Sequence, residues 1–270
     1  MTADHTTSDP STNGRATIVA IANQKGGVGK STTAINLGAA LAFQGERVLI
    51  LDMDPQGNTS SGLGIDRSAI GNSMYEVLVD EVPMEDVVEP SSVRDLFIVP
   101  ATIELAGAEI ELVPMFSREM RLARALQPVL DDYGFALIDC PPSLGLLTVN
   151  GLAAADEVMI PIQCEYYALE GVSQLVRNIQ LVKQNLNPQL EVEGVVLTMF
   201  DGRTTLSSDV ATQVRDHFGE TTYRTVIPRT VRLSEAPSYG EPIEAFDPMS
   251  RGAIAYRELA REFRRRHGRT

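Results

Sequence analysis

From Lys25 to Thr32 the chain reads Lys-Gly-Gly-Val-Gly-Lys-Ser-Thr, and three glycines in four positions let a backbone curl until successive N–H groups point inward. An apolar run of strand length, Thr17 to Ala22, leads into it, and a segment of helical period, Thr33 to Phe43, leads out. Strand, glycine loop and helix in that order make a cradle for phosphate, because the helix adds its positive end to the loop amides. A polyphosphate is the guest this chemistry suits, with Lys25, Gly26, Gly27, Val28, Gly29, Lys30, Ser31 and Thr32 around it. Lys30 reaches the β- and γ-phosphates in such a loop, and the Ser31 hydroxyl ligates the Mg2+ that bridges them. The usual spacing G-x-x-x-x-G-K-[ST] needs a glycine where Gln24 stands; here a second lysine, Lys25, opens the loop instead.

Acidic residues stand where a phosphoryl-transfer site needs them. Asp52 and Asp54 end a second strand-length run, Val48 to Leu51, and being two apart they point the same way if the strand continues. Asp139 ends another, Phe135 to Ile138. Attack on a γ-phosphate requires a positioned water and a metal-neutralised leaving group, and one carboxylate can serve each need.

These residues must be held by strands and helices. Leu96 to Val99, Glu157 to Ile162, Val192 to Thr198 and Tyr223 to Ile227 read as further strands, nearly all apolar, as strands covered on both faces must be. Helical segments begin near Lys30, Ser117, Leu146, Leu169, Ser207 and Gly252. The alternation predicts an α/β fold of three layers, a mostly parallel twisted sheet with helices on both faces and ligands beyond the carboxyl ends of the strands. Residues 16–270 read as one domain behind a polar tail, 1–15, that lacks periodicity. Gly57 to Asp86 and Ile103 to Phe116 give no clear element.

With 43% hydrophobic and 22% charged residues among 270, the chain has the balance of a globular protein. No apolar stretch is long enough to cross a bilayer, and no membrane partner is expected. Cys140 and Cys164 lack the spacing of a zinc site or a disulfide framework and fit a reducing cytoplasm. A net charge of -13 argues against nucleic acid, but phosphate contacts depend on local charge, and Arg203, Arg229, Arg232 and Arg251 are candidates for a local basic face. No base-reading motif is present. In the last segment Ile254, Tyr256, Leu259, Ala260 and Phe263 form an apolar stripe beside an arginine run, suited to docking on the core.

The loop, together with Asp52-Met53-Asp54-Pro55-Gln56-Gly57-Asn58, Asp139-Cys140-Pro141-Pro142-Ser143, Gln163 to Gly171 and Ile227-Pro228-Arg229 to Pro237, resembles the ParA (Soj) chromosome and plasmid partitioning ATPases. These form the MinD/ParA branch of P-loop ATPases, with a deviant Walker A loop. The resemblance implies ATP and Mg2+ as cofactors, Asp54 orienting the attacking water, Asp52 supporting the Mg2+ shell or the loop, and Asp139 holding a metal-bound water. It implies that Lys25 crosses a two-fold interface to the other chain's nucleotide, so that ATP drives a homodimer, and that Pro228 walls the adenine. It further implies that Arg203 and Arg232 bind double-stranded DNA non-specifically, that a ParB-like centromere-binding protein stimulates slow hydrolysis, and that the protein is cytoplasmic and nucleoid-associated. The alternatives are a MinD-like membrane-cycling regulator of division and a metabolic enzyme on the same scaffold.

Overall fold

The computed structural model describes residues 14–165 and 168–269, without the side chains of 166–171. The polar tail up to residue 13 and the pair Tyr166 and Tyr167 lie outside the described residues. Eight strands form one sheet: β1 (Thr17–Ile21), β2 (Val48–Asp52), β3 (Glu89–Pro90), β4 (Leu96–Val99), β5 (Phe135–Asp139), β6 (Glu157–Gln163), β7 (Glu191–Phe200) and β8 (Thr222–Pro228). Their spatial order is β3-β4-β2-β5-β1-β6-β7-β8, and every neighbouring pair is parallel except β3 with β4. The helices are α1 (Lys30–Phe43), α2 (Asn58–Gly62), α3 (Met74–Val79), α4 (Leu105–Glu111), α5 (Arg121–Leu126), α6 (Leu146–Ala154), α7 (Ala168–Asn185), α8 (Thr205–Phe218), α9 (Val231–Glu235), α10 (Ile243–Phe246) and α11 (Arg251–Arg266).

Strand side chains alternate between two cores. Ile18 and Ala20 of β1 join Ala136 and Ile138 of β5 in the layer with Leu147 of α6 and Leu175 of α7. Val19, Ile21, Phe135 and Leu137 face the opposite way, against Leu37 and Leu41 of α1 and Tyr256, Leu259 and Phe263 of α11. Both faces of the sheet are therefore buried, which is why β1, β2 and β5 at its centre carry polar residues only at their ends. The parallel register sets Ile21 opposite Asp139 and Asp139 opposite Asp52, so β1, β5 and β2 end level with one another. The loops that follow them share one rim.

The segments without a clear sequence pattern hold short elements: α2, α3 and a single 3-10 turn between residues 57 and 86, and α4 after residue 103. Ile254, expected in the apolar stripe of α11, is instead 44% exposed, while Tyr256, Leu259, Ala260 and Phe263 are buried. A helix turns 100° per residue, which places Ile254 nearly opposite the centre of the stripe formed by Tyr256, Leu259, Ala260 and Phe263. The arginines after it brace the fold: Arg264 and Arg269 hold Glu46, Arg257 holds Glu244, and Arg266 lies 3.8 Å from the ring centre of Tyr223 and close to Glu193 and Glu262.

Candidate functional site: a nucleotide pocket at the strand ends

The loop after β1 is shaped by its own side chains before any ligand enters. Asn23 donates to the Pro161 carbonyl of β6 at 2.7 Å and accepts from the Lys25 amide at 3.0 Å, pinning the start of the curl. Gly27 and Gly29 have φ of +73° and +93°, a region that a side chain would disfavour. Gly29 caps α1 without a side-chain hydrogen bond, so the helix presents its amides to the cavity in front. Lys30 is buried and its Nζ lies 3.4 Å from the Lys25 carbonyl. Burial pulls the Lys30 pKa down, and the negative charge of Asp139 opposes that fall.

The cavity has a volume of about 880 Å³. Gly26, Gly27, Gly29, Lys30, Ser31 and Thr32 line one part of it, together with Asp54; Ile227, Pro228 and Val231 line another. Pro228, the last residue of β8, thus stands on the cavity wall. Val28 is buried beneath the loop, and Lys25 is exposed at its leading edge.

The three acids are placed differently. Asp54 faces the cavity, with its Oδ1 accepting from the Gln56 amide at 3.0 Å. Asp52 is fully buried below it: Oδ2 accepts from the Ser60 amide at 2.8 Å and the Ser60 hydroxyl at 2.7 Å, and Oδ1 accepts from the Asp54 amide at 3.2 Å. Both oxygens of Asp52 are thus engaged by the segment that leads from β2 into α2. Asp139 is also fully buried; Thr59 donates to its Oδ2 at 2.7 Å, while Oδ1 has no hydrogen-bond partner. Burial raises the pKa of both carboxyls; the charge of Asp139 adds to the rise at Asp52, and Ser31, Thr59 and Lys30 work against it at Asp139. A buried carboxylate oxygen without a donor, set beside a serine hydroxyl and a lysine, is chemically suited to a cation or its bound water. Thr59 and Ser60 were not singled out by sequence reasoning; a Thr-Ser pair just past an acidic strand end was the available signal.

Arg203 and Arg229 lie on the loops that follow β7 and β8, Arg232 lies on α9, and Arg251 is exposed at the first turn of α11. Three are engaged with acids. Arg203 forks onto Asp201 at 2.9 and 2.7 Å, and its side chain is 88% exposed. Arg229 pairs with Glu165, and Arg232 bonds Asp247 at 2.9 Å and Glu235 at 3.1 Å.

Parallel strands ending in a glycine cradle, a buried lysine and level carboxylates define a P-loop nucleotide-binding protein. Residues 16–192 match the family described as AAA domain. The sporulation initiation inhibitor protein Soj of Bacillus subtilis is 57% identical over 245 residues, 91% of this chain and 97% of its own. The chromosome partitioning protein ParA of Myxococcus xanthus is 53% identical over 249 residues, 92% of this chain and 88% of its own. Among solved structures, cobyrinic acid a,c-diamide synthase of Mycobacterium smegmatis with bound ATP analogue and magnesium superposes with a TM-score of 0.81 at 42% identity, covering 91% of this chain and 93% of that one. The chain belongs to the Soj/ParA family of partitioning ATPases.

Proposed function

We propose that this protein is an ATP-hydrolysing partitioning switch: its ATP-bound homodimer binds double-stranded DNA without sequence preference, and a ParB-like centromere-binding protein releases it by stimulating hydrolysis. The observation that carries the reading is the division of labour between two lysines of one loop. Lys30 is buried against the cavity, whereas Lys25 is exposed at the leading edge, where it serves a phosphate outside its own chain. In the resulting sandwich, Lys25 of a second copy adds positive charge at the oxygens where it builds up in the transition state.

Within one chain the loop amides and Lys30 hold the phosphates, Asp54 orients the attacking water, and Asp52 fixes the backbone that carries Asp54. Ser31 and Asp139 are the residues that would hold Mg2+. The ion, when bound, neutralises charge on the leaving phosphates. The base rests against Pro228.

DNA binding is assigned to Arg203, Arg229, Arg232 and Arg251, with the protein cytoplasmic and nucleoid-associated. A DNA phosphate must compete with Asp201, Glu165, Glu235 and Asp247 for three of these arginines, so binding is weak per chain and gains from pairing two chains. Membrane cycling is the weaker reading, because Tyr256, Leu259 and Phe263 of the one strongly basic amphipathic helix among the described residues are buried in the core. Small-molecule synthesis is weaker too, since the chain is more similar to the two partitioning proteins, at 57% and 53%, than to the diamide synthase at 42%.

Co-sedimentation with DNA tests the proposal, using ATP, ADP or no nucleotide over a salt series. ATP-selective binding that falls steeply with salt and is weakened by Arg232→Ala is expected. Binding indifferent to nucleotide contradicts it.

A further inference from the structure

We propose that Thr198, at the end of β7, is a positioning residue that sets the phosphate loop for its ligand before the ligand arrives. The inference rests on the nucleotide reading of the cavity and names a residue outside the loop that controls it. Thr198 is 2% exposed, and its hydroxyl donates to the Val28 carbonyl at 2.8 Å. A trans peptide holds its C=O and N–H in opposite directions. Fixing the Val28 carbonyl onto β7 therefore turns the next amide, Gly29 N–H, the other way, toward the cavity. Gly29 is the residue least able to enforce this by itself, because glycine with φ of +93° has little steric barrier to rotating that peptide.

The methyl of Thr198 completes the contact. Its Cγ2 lies 3.7 Å from the position a Cβ on Gly29 would take, so the side chain closes one flank of the loop while the hydroxyl orients it. Thr198 is itself held firmly: its carbonyl accepts from the Cys164 amide at 3.0 Å. Strand alternation puts Thr198 on the same face as Val196, toward α1 and the loop. The pairing of β7 with β8 shifts register on both sides of Leu197, between Val195 and Leu197 and between Leu197 and Phe200, and Met199 adopts φ of +52°. Left-handed backbone on a non-glycine residue at a pocket wall is strain kept for a purpose. Here it falls directly after the residue that holds the loop, one position before β7 ends at Phe200.

Isosteric substitution isolates the hydroxyl. Thr198→Val keeps the methyl packing and deletes the hydrogen bond, and Thr198→Ser keeps the bond and deletes the methyl. For ADP binding followed by fluorescence or calorimetry, Thr198→Val is expected to weaken affinity about tenfold, the size of one hydrogen bond's worth of preorganisation, and Thr198→Ser to stay within about threefold of wild type. In ATP turnover the Val variant should raise KM by a similar factor and leave kcat within about threefold, since the loop holds ground and transition states alike. If Thr198→Val does not fold, Thr198→Ala is measured against Thr198→Ser by the same criterion. A Val variant that binds ADP as tightly as a competent wild type overturns the assignment, and so does a Ser variant as weak as the Val variant. Wild-type protein that binds no nucleotide would instead overturn the reading of the cavity itself, and this inference with it.

Discussion

Asp52 and Asp54 are two residues apart on one strand end, yet their surroundings give them separate work. Both oxygens of Asp52 accept from Ser60 and the Asp54 amide, and the Ser60 hydroxyl in turn accepts from the Ala101 amide at 3.0 Å. That chain of bonds fastens α2 and the β4 exit beneath the segment that carries Asp54. Asp54 keeps one oxygen on the Gln56 amide and faces the cavity. Replacing Asp54 by Asn preserves this turn and removes the charge, so ATP binding should persist while turnover falls about 100-fold or more, read as phosphate release against nucleotide affinity. Asp52→Ala should act differently, leaving two buried amides without an acceptor at about 1–3 kcal/mol each, visible as a lower urea midpoint with the Mg2+ titration unchanged. A shifted Mg2+ titration at unchanged stability would return Asp52 to the metal.

Long, fully buried strands were legible in the sequence because nothing but apolar residues suits a strand covered on both sides, and the phosphate loop was legible because few other tasks call for three glycines between two lysines. The short elements were not. A helix of five residues such as α2, or seven such as α4, completes too few turns for a periodic pattern to emerge, and the two residues of β3 have none. Asp52 was visible as a strand-end acid, but only the fold shows Ser60 closing over it, because the partners of a buried carboxylate depend on tertiary approach. Close approach also explains Gly194 in β7: a Cβ there would meet the Tyr223 ring at 2.2 Å, and the guanidinium of Arg266 stands 3.8 Å from that ring's centre. Gly194→Ala should therefore destabilise by about 1–3 kcal/mol, lowering the thermal midpoint by roughly 3–10 °C, and unaltered melting would mean that β8 can shift away.

Across the whole molecule, charge is sorted by rim. The arginines proposed to meet DNA sit beyond the carboxyl ends of β7 and β8 or open α11, whereas Arg264, Arg266 and Arg269 brace the other end against Glu46, Glu193 and Glu262. His267 belongs to that second group, its Nε2 2.8 Å from Glu157 and its Nδ1 2.8 Å from the Phe263 carbonyl. Burial disfavours its charge, but Glu157 and the carbonyl outweigh burial and raise its pKa above the usual 6.5. A raised folded-state pKa means that this contribution to stability is full below pH 6.5 and disappears as pH climbs through the folded value. Urea unfolding at pH 6 and pH 9 should show a smaller loss for His267→Gln than for wild type; equal losses would mean the pair adds nothing.

The proposed dimer belongs to the molecule as a whole, since the task proposed for the exposed Lys25 lies in a second copy. Light scattering with a non-hydrolysable ATP analogue and Mg2+ reads it directly. Twice the chain mass for wild type, and a single chain mass for Lys25→Ala with the analogue still bound, is the predicted result; saturated wild type that stays a monomer, or Lys25→Ala that pairs normally, would contradict it.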